Sequence, residues 1–130
     1  MSITLETQSH FLRLFEIALS DGEYSKLELN LLYKIAEEKN ISKNEIDSIL
    51  ISPIGNMEIP GSIEKKIEYL YDFARMVLAD NVEHADETYM LEKFCRTFDF
   101  KGDNVKELSA YLIESAKQGK SKEQLLNELN

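Results

Sequence analysis

The sequence predicts an all-α protein: a compact bundle of about seven helices built from two repeated helical hairpins. Three observations carry that prediction. Apolar residues recur at helical spacing in one stretch after another. Glycine and proline are sparse, with five and two copies, and tryptophan is absent, which suits helices better than a β-rich fold. Finally, sliding the chain by 59 residues lays apolar positions on apolar positions (11 to 70, 32 to 91) without a gap, and acids on acids (21 to 80, 28 to 87).

Taken in order, the first helix is expected from about Leu5 to Ser20, with Phe11, Leu12, Leu14, Phe15, Ala18 and Leu19 as its apolar face. Asp21-Gly22 ends it, because glycine enters the left-handed conformation that commonly follows a helix. The second helix opens at Ser25-Lys26-Leu27-Glu28, a capping box, and runs to about Lys39 with Leu27, Leu31, Leu32, Ile35 and Ala36 inward. A second capping box, Ser42 to Glu45, opens a short third helix. Residues 52–61 hold both prolines and two glycines and read as the connection between two halves.

Ser62 caps a fourth helix expected to reach about Ala79, with Ile63, Ile67, Leu70, Tyr71, Ala74, Val77 and Leu78 buried. The fifth covers about Ala85 to Phe98, with Met90, Leu91, Phe94, Cys95 and Phe98 inward. Phe100 to Asp103 reads as a turn, and a sixth helix as running from about Asn104 to Gln118 with Gly119 as its stop. Ser121 to Gln124 is a last capping box, for a short tail helix. Residues 1–118 thus read as one domain with halves at about 10–52 and 62–115, followed by a tail at 119–130.

Bulk properties bound the function. The chain has 130 residues, of which 43% are hydrophobic, enough for one core. Its net charge of −9 repels nucleic acid and anionic lipid, and tolerates cations or a basic protein partner. A single cysteine, Cys95, permits no intrachain disulfide, and no apolar stretch approaches the ~20 residues that span a bilayer. With no signal-peptide pattern at the N-terminus, a cytoplasmic setting without membrane insertion is expected.

The chemistry, if any, lies in the repeated acidic turn. Ser20-Asp21-Gly22-Glu23-Tyr24-Ser25-Lys26-Leu27-Glu28 recurs as Ala79-Asp80-Asn81-Val82-Glu83-His84-Ala85-Asp86-Glu87. Gly22 becomes Asn81, both residue types that tolerate left-handed backbone. Asp21 and Glu28 persist as Asp80 and Glu87, whereas the capping Ser25 becomes His84. An acid at a helix C-terminus faces the negative end of the dipole and needs a positive counterpart. One counterpart is the N-terminus of the next helix. The other is a hard cation such as Ca²⁺ or Mg²⁺, held by Asp21 and Glu28 or by Asp80 and Glu87, with Glu23, Glu83 and His84 as further donors. The spacing is not that of a twelve-residue EF-hand loop. Cys95 aligns with Ala36 and reads as a small core residue, and His10 stands alone in the sequence with nothing near it to form a relay.

Ala18-Leu19-Ser20-Asp21-Gly22-Glu23-Tyr24-Ser25-Lys26-Leu27-Glu28 resembles the tellurite-resistance TerB-like family, as does the second copy at Val77 to Glu87, which departs from it at Asn81. The resemblance extends to the N-terminal domain of some J-domain co-chaperones and covers about residues 10–115. It implies an all-helical domain with no catalytic activity, an association with tellurite and stress resistance, and metal binding at Asp21, Glu28, Asp80 and Glu87. The expected function is a non-enzymatic protein-interaction module tuned by a divalent cation, its partner unnamed. The alternatives are a structural helical adaptor whose acidic turns only cap helices, and a metal-dependent enzyme built on Asp80, Glu83, His84 and Glu87.

Overall fold

In the computed structural model, which describes residues 4–19, 26–51, 57–79 and 85–129, the periodic apolar stretches form seven α-helices. They are α1 Leu5–Leu19, α2 Lys26–Glu38, α3 Lys43–Ile51, α4 Ile63–Val77, α5 Ala85–Thr97, α6 Gly102–Lys117 and α7 Lys122–Leu129. No strand occurs among the described residues.

Local signals set the helix ends. Ser42 Oγ accepts from Glu45 N while Glu45 Oε1 accepts from Ser42 N, so both bonds of that capping box form. Ser121 and Gln124 do the same for α7, and Ser62 Oγ accepts from Lys65 N at the start of α4. Three helices end on left-handed residues: Asn40 (φ 61°), Asp99 (φ 72°) and Gly119 (φ 73°). In each case the next N–H closes the turn, from Ile41 to Ala36 O, Phe100 to Cys95 O and Lys120 to Ser115 O. Gly119 is the stop expected from the sequence. The sixth helix starts earlier than expected, at Gly102, because Lys101 takes the extended cap conformation and Gly102 already winds into the helix.

Helices α1 and α4 pack on each other and carry most of the contacts to the rest. Helix α1 packs on α2, α3, α4 and α5, and α4 packs on α1, α2, α5, α6 and α7. Exchanging α1, α2 and α3 for α4, α5 and α6 leaves that packing pattern unchanged, and α7 is the addition. Helices α2 and α5 begin and end 59 residues apart (26 to 85, 38 to 97). Each repeated hairpin therefore carries its own third helix, and the two triplets occupy equivalent places in one packing pattern.

The shared core is filled by equivalent pairs: Phe11 with Leu70, Leu14 with Phe73, Ile17 with Met76, Leu32 with Leu91, and Ala36 with Cys95, all fully buried or nearly so. Three residues expected inward are exposed: Leu19, the last residue of α1, and the pair Leu27 and Ile63. Leu27 and Ile63 both lie in the first turn of a helix, where the side chain leans toward the N-terminus and projects past the neighbouring helix. The connecting segment is tied to α1 by its backbone: Glu58 N donates to Ser9 Oγ at 2.8 Å and Glu58 O accepts from Arg13 Nη1 at 2.7 Å. Pro60 beside it is buried.

Candidate functional site

Of the residues that the acidic turns single out, Asp21, Gly22, Glu23, Asp80, Asn81, Glu83 and His84 lie outside the described residues. Glu28 and Glu87 are described. Each is the third residue of its helix, α2 or α5, and each is almost fully buried, at 2% and 1% exposure. The position does not by itself impose burial. Glu45 and Gln124 occupy the same third position in α3 and α7, and they stay partly or fully exposed. Among the described residues, no group of three or more His, Cys, Asp or Glu is arranged to hold a metal ion.

A second polar centre lies where the sequence reading saw nothing. His10 on α1 and Asp72 on α4 are both fully buried, with His10 Nε2 2.8 Å from Asp72 Oδ2. The pair closes across 62 residues of sequence, so His10 is not alone. Lys39 Nζ also reaches Oδ2, at 3.3 Å. The other oxygen, Oδ1, receives Arg75 Nη1 at 3.2 Å and Lys122 Nζ at 3.0 Å. Arg75 in turn grips Glu38 with both arms of its guanidinium, at 3.0 Å each. Side chains from α1, from α4, from just after α2 and from the start of α7 thus converge on one carboxylate.

The electrostatics follow from this geometry. Burial would raise the Asp72 carboxyl, but the His10 hydrogen bond and the surrounding positive charges, Lys122 and Lys39 among them, hold it well below the usual carboxylate range. Burial pushes His10 down to about 4 against the pull of Asp72, so the imidazole is neutral and donates from Nε2. Its other nitrogen, Nδ1, is buried without a hydrogen-bond partner. The ring is walled by aromatics: it stacks on Tyr69 with centroids 3.8 Å apart and is edged by Phe11. Such a sealed, neutral imidazole orients and stabilises the carboxylate and has no room to exchange protons with a substrate.

The readable signal was polarity out of register. His10, Arg13 and Asp72 fall inside the apolar stripes of their helices, next to Phe11, Leu14 and Phe73, where a charged group is buried only if it has a partner. Which partner was not readable, because the contacts join separate helices. Cys95 meets its expectation as a core residue: it is fully buried, and burial pushes its thiol up to about 12.

Beside this centre, over Arg75 and Lys122, lies an open groove of about 530 Å³. Lys34 and Glu38 of α2, Tyr71 and Arg75 of α4, and Gly119 to Lys122 of the α6–α7 turn line it. The Tyr71 hydroxyl lies 2.6 Å from Lys120 O and 3.2 Å from Ser115 O, which fixes that turn against α4. A second cavity of about 410 Å³ lies between α5 and α6, lined by residues such as Glu92, Lys106, Ser109 and Lys117. No helix among the described residues is long and apolar enough to cross a membrane. No family model, curated protein or solved structure matches the chain.

Proposed function

We propose that this chain is a non-enzymatic protein-interaction module of the TerB-like type, in which a divalent cation at each hairpin turn tunes the surface offered to a protein partner. The tie to tellurite and stress resistance rests on the resemblance of the doubled turn alone. The observation that supports the cation is the matched burial of Glu28 and Glu87. Withdrawing an ionised carboxylate from water costs several kcal/mol unless a positive group compensates it. Helix-start amides supply such compensation, and a divalent cation shared with the turn acids would add to it. Glu45, at the same helix position but outside the repeated acidic turns, remains at the surface.

The chemistry of the donor set fits a hard ion: carboxylate oxygens, with Asp21 completing the Glu28 set and Asp80 the Glu87 set. The ion would neutralise the turn and tie the end of the first helix of each hairpin to the start of the second. Calorimetric titration of the full chain with Ca²⁺ and Mg²⁺ tests this. Binding tighter than about 1 mM, weakened at least tenfold in Glu28→Gln and Glu87→Gln, is the expected result. Absence of saturable heat, with both variants merely less or more stable, would leave a structural helical adaptor whose turns only cap helices.

A further inference from the structure

We infer that the groove between α2, α4 and the α6–α7 turn is a binding site for a small phosphate-bearing anion. The argument begins with charge balance. Arg75 and Lys122 in its lining, and Lys39 behind it, face Glu38 in the lining and the buried Asp72, so three cations meet two acids. The rim adds Lys34 and Lys120, of which Lys120 pairs with Glu128 at 2.9 Å. A local positive surplus in a chain of net charge −9 concentrates anions at that point.

The geometry is that of a built site. Asp72 pins the ammonium of Lys122 and one arm of Arg75, and Tyr71 anchors the turn that carries Lys120 and Lys122, so the cations are held in place before any ligand arrives. Helix α7 starts at the groove wall, with Ser121 and Lys122 both lining it, and adds the positive end of its dipole. The Arg75 fork already grips one carboxylate, that of Glu38, whose side chain is 40% exposed while that of Arg75 is 20% exposed. A tetrahedral phosphate matches the same fork and takes lysine ammoniums on its remaining oxygens. The volume of about 530 Å³ suits a small molecule, and the overall negative charge of the chain disfavours a nucleic acid.

The inference is independent of the cation proposal, since none of its residues belongs to the acidic turns. Its test is an amide NMR titration of the full chain, stripped of divalent ions on a chelating resin. Inorganic phosphate and pyrophosphate are the inorganic probes, and glycerol 3-phosphate is the organic ester. Saturable shifts at Arg75 and at Gly119 to Lys122, with a Kd below about 1 mM for at least one probe, are expected. Lys34→Glu with Lys120→Glu, on the groove rim, should weaken that probe at least tenfold while leaving the rest of the spectrum in place. A tighter organic ester would assign the ligand to a phosphorylated metabolite, and a tighter inorganic probe to free phosphate. Three results would overturn the inference: no saturable shift with any probe, shifts that chloride reproduces at equal concentration, or binding of an oligo-glutamate peptide when no phosphate probe binds.

Discussion

His10 and Tyr69 stack face to face with ring centroids 3.8 Å apart and planes 13° from parallel. They occupy the same position in the two halves of the chain, 59 residues apart (10 to 69). The residues around it have diverged in step. Arg13 corresponds to Asp72, and Phe98 to Lys39 (13 to 72, 39 to 98). On one side Arg13 lies over the Phe98 ring at 5.1 Å; on the other Asp72 meets Lys39 at 3.3 Å. An aromatic–cation contact in one half stands where the other half has an ion pair. The polar centre is thus an asymmetric elaboration of a symmetric frame.

Stability should fall with acid through His10. Unfolded, the imidazole takes up a proton below its ordinary 6.5; folded, burial holds it at about 4. The unfolded chain therefore binds more protons in that window, and stability is full above pH 6.5 and is lost as pH falls toward 4. The loss reaches about 3 kcal/mol, with Asp72 adding to it below its own ordinary 3.8. Urea unfolding at pH 7, 5.5 and 4.5 measures it. The His10→Phe variant should show a shallower profile over that range, and an equally steep one would remove His10 as the cause.

Replacing Asp72 by Asn should cost about 3–5 kcal/mol at pH 7, because it strands Lys39, Arg75 and Lys122 around a neutral group. Equilibrium denaturation provides the number. A cost under about 1 kcal/mol would mean that the cations simply turn to solvent.

The left-handed helix ends give a test of the internal symmetry. Asn40→Val and Asp99→Val should each lose about 1–2 kcal/mol, and by similar amounts, since a β-branched residue resists positive φ at equivalent sites. Gly119→Ala should lose about 1 kcal/mol from backbone strain alone, because nothing lies within 4 Å of the added methyl. Thermal unfolding of the three variants, run side by side, would expose a non-equivalent pair as unequal losses.

Cys95 should be inert in the folded chain. With its thiol pushed up to about 12 and no exposed surface, an aromatic disulfide reagent at pH 8 should label it only at the rate of unfolding, and at once in urea. Rapid labelling under native conditions would show that α5 opens locally.

The helices and their order follow from local sequence. Apolar spacing is a local property, and so are the capping boxes at Ser42 and Ser121 and the stop at Gly119; each formed as written. The 59-residue offset was equally legible, because both halves must present the same apolar face to one core. The partners were a different matter. That Glu28 and Glu87 are buried while Glu45 is not depends on what packs over them, which no spacing encodes. Asp72 draws donors from α1, from the ends of α2 and α4, and from the start of α7, residues up to 62 positions away. That convergence arises in the packed fold alone, because a charge buried in a helix stripe fixes the need for a counter-charge but not the element that supplies it.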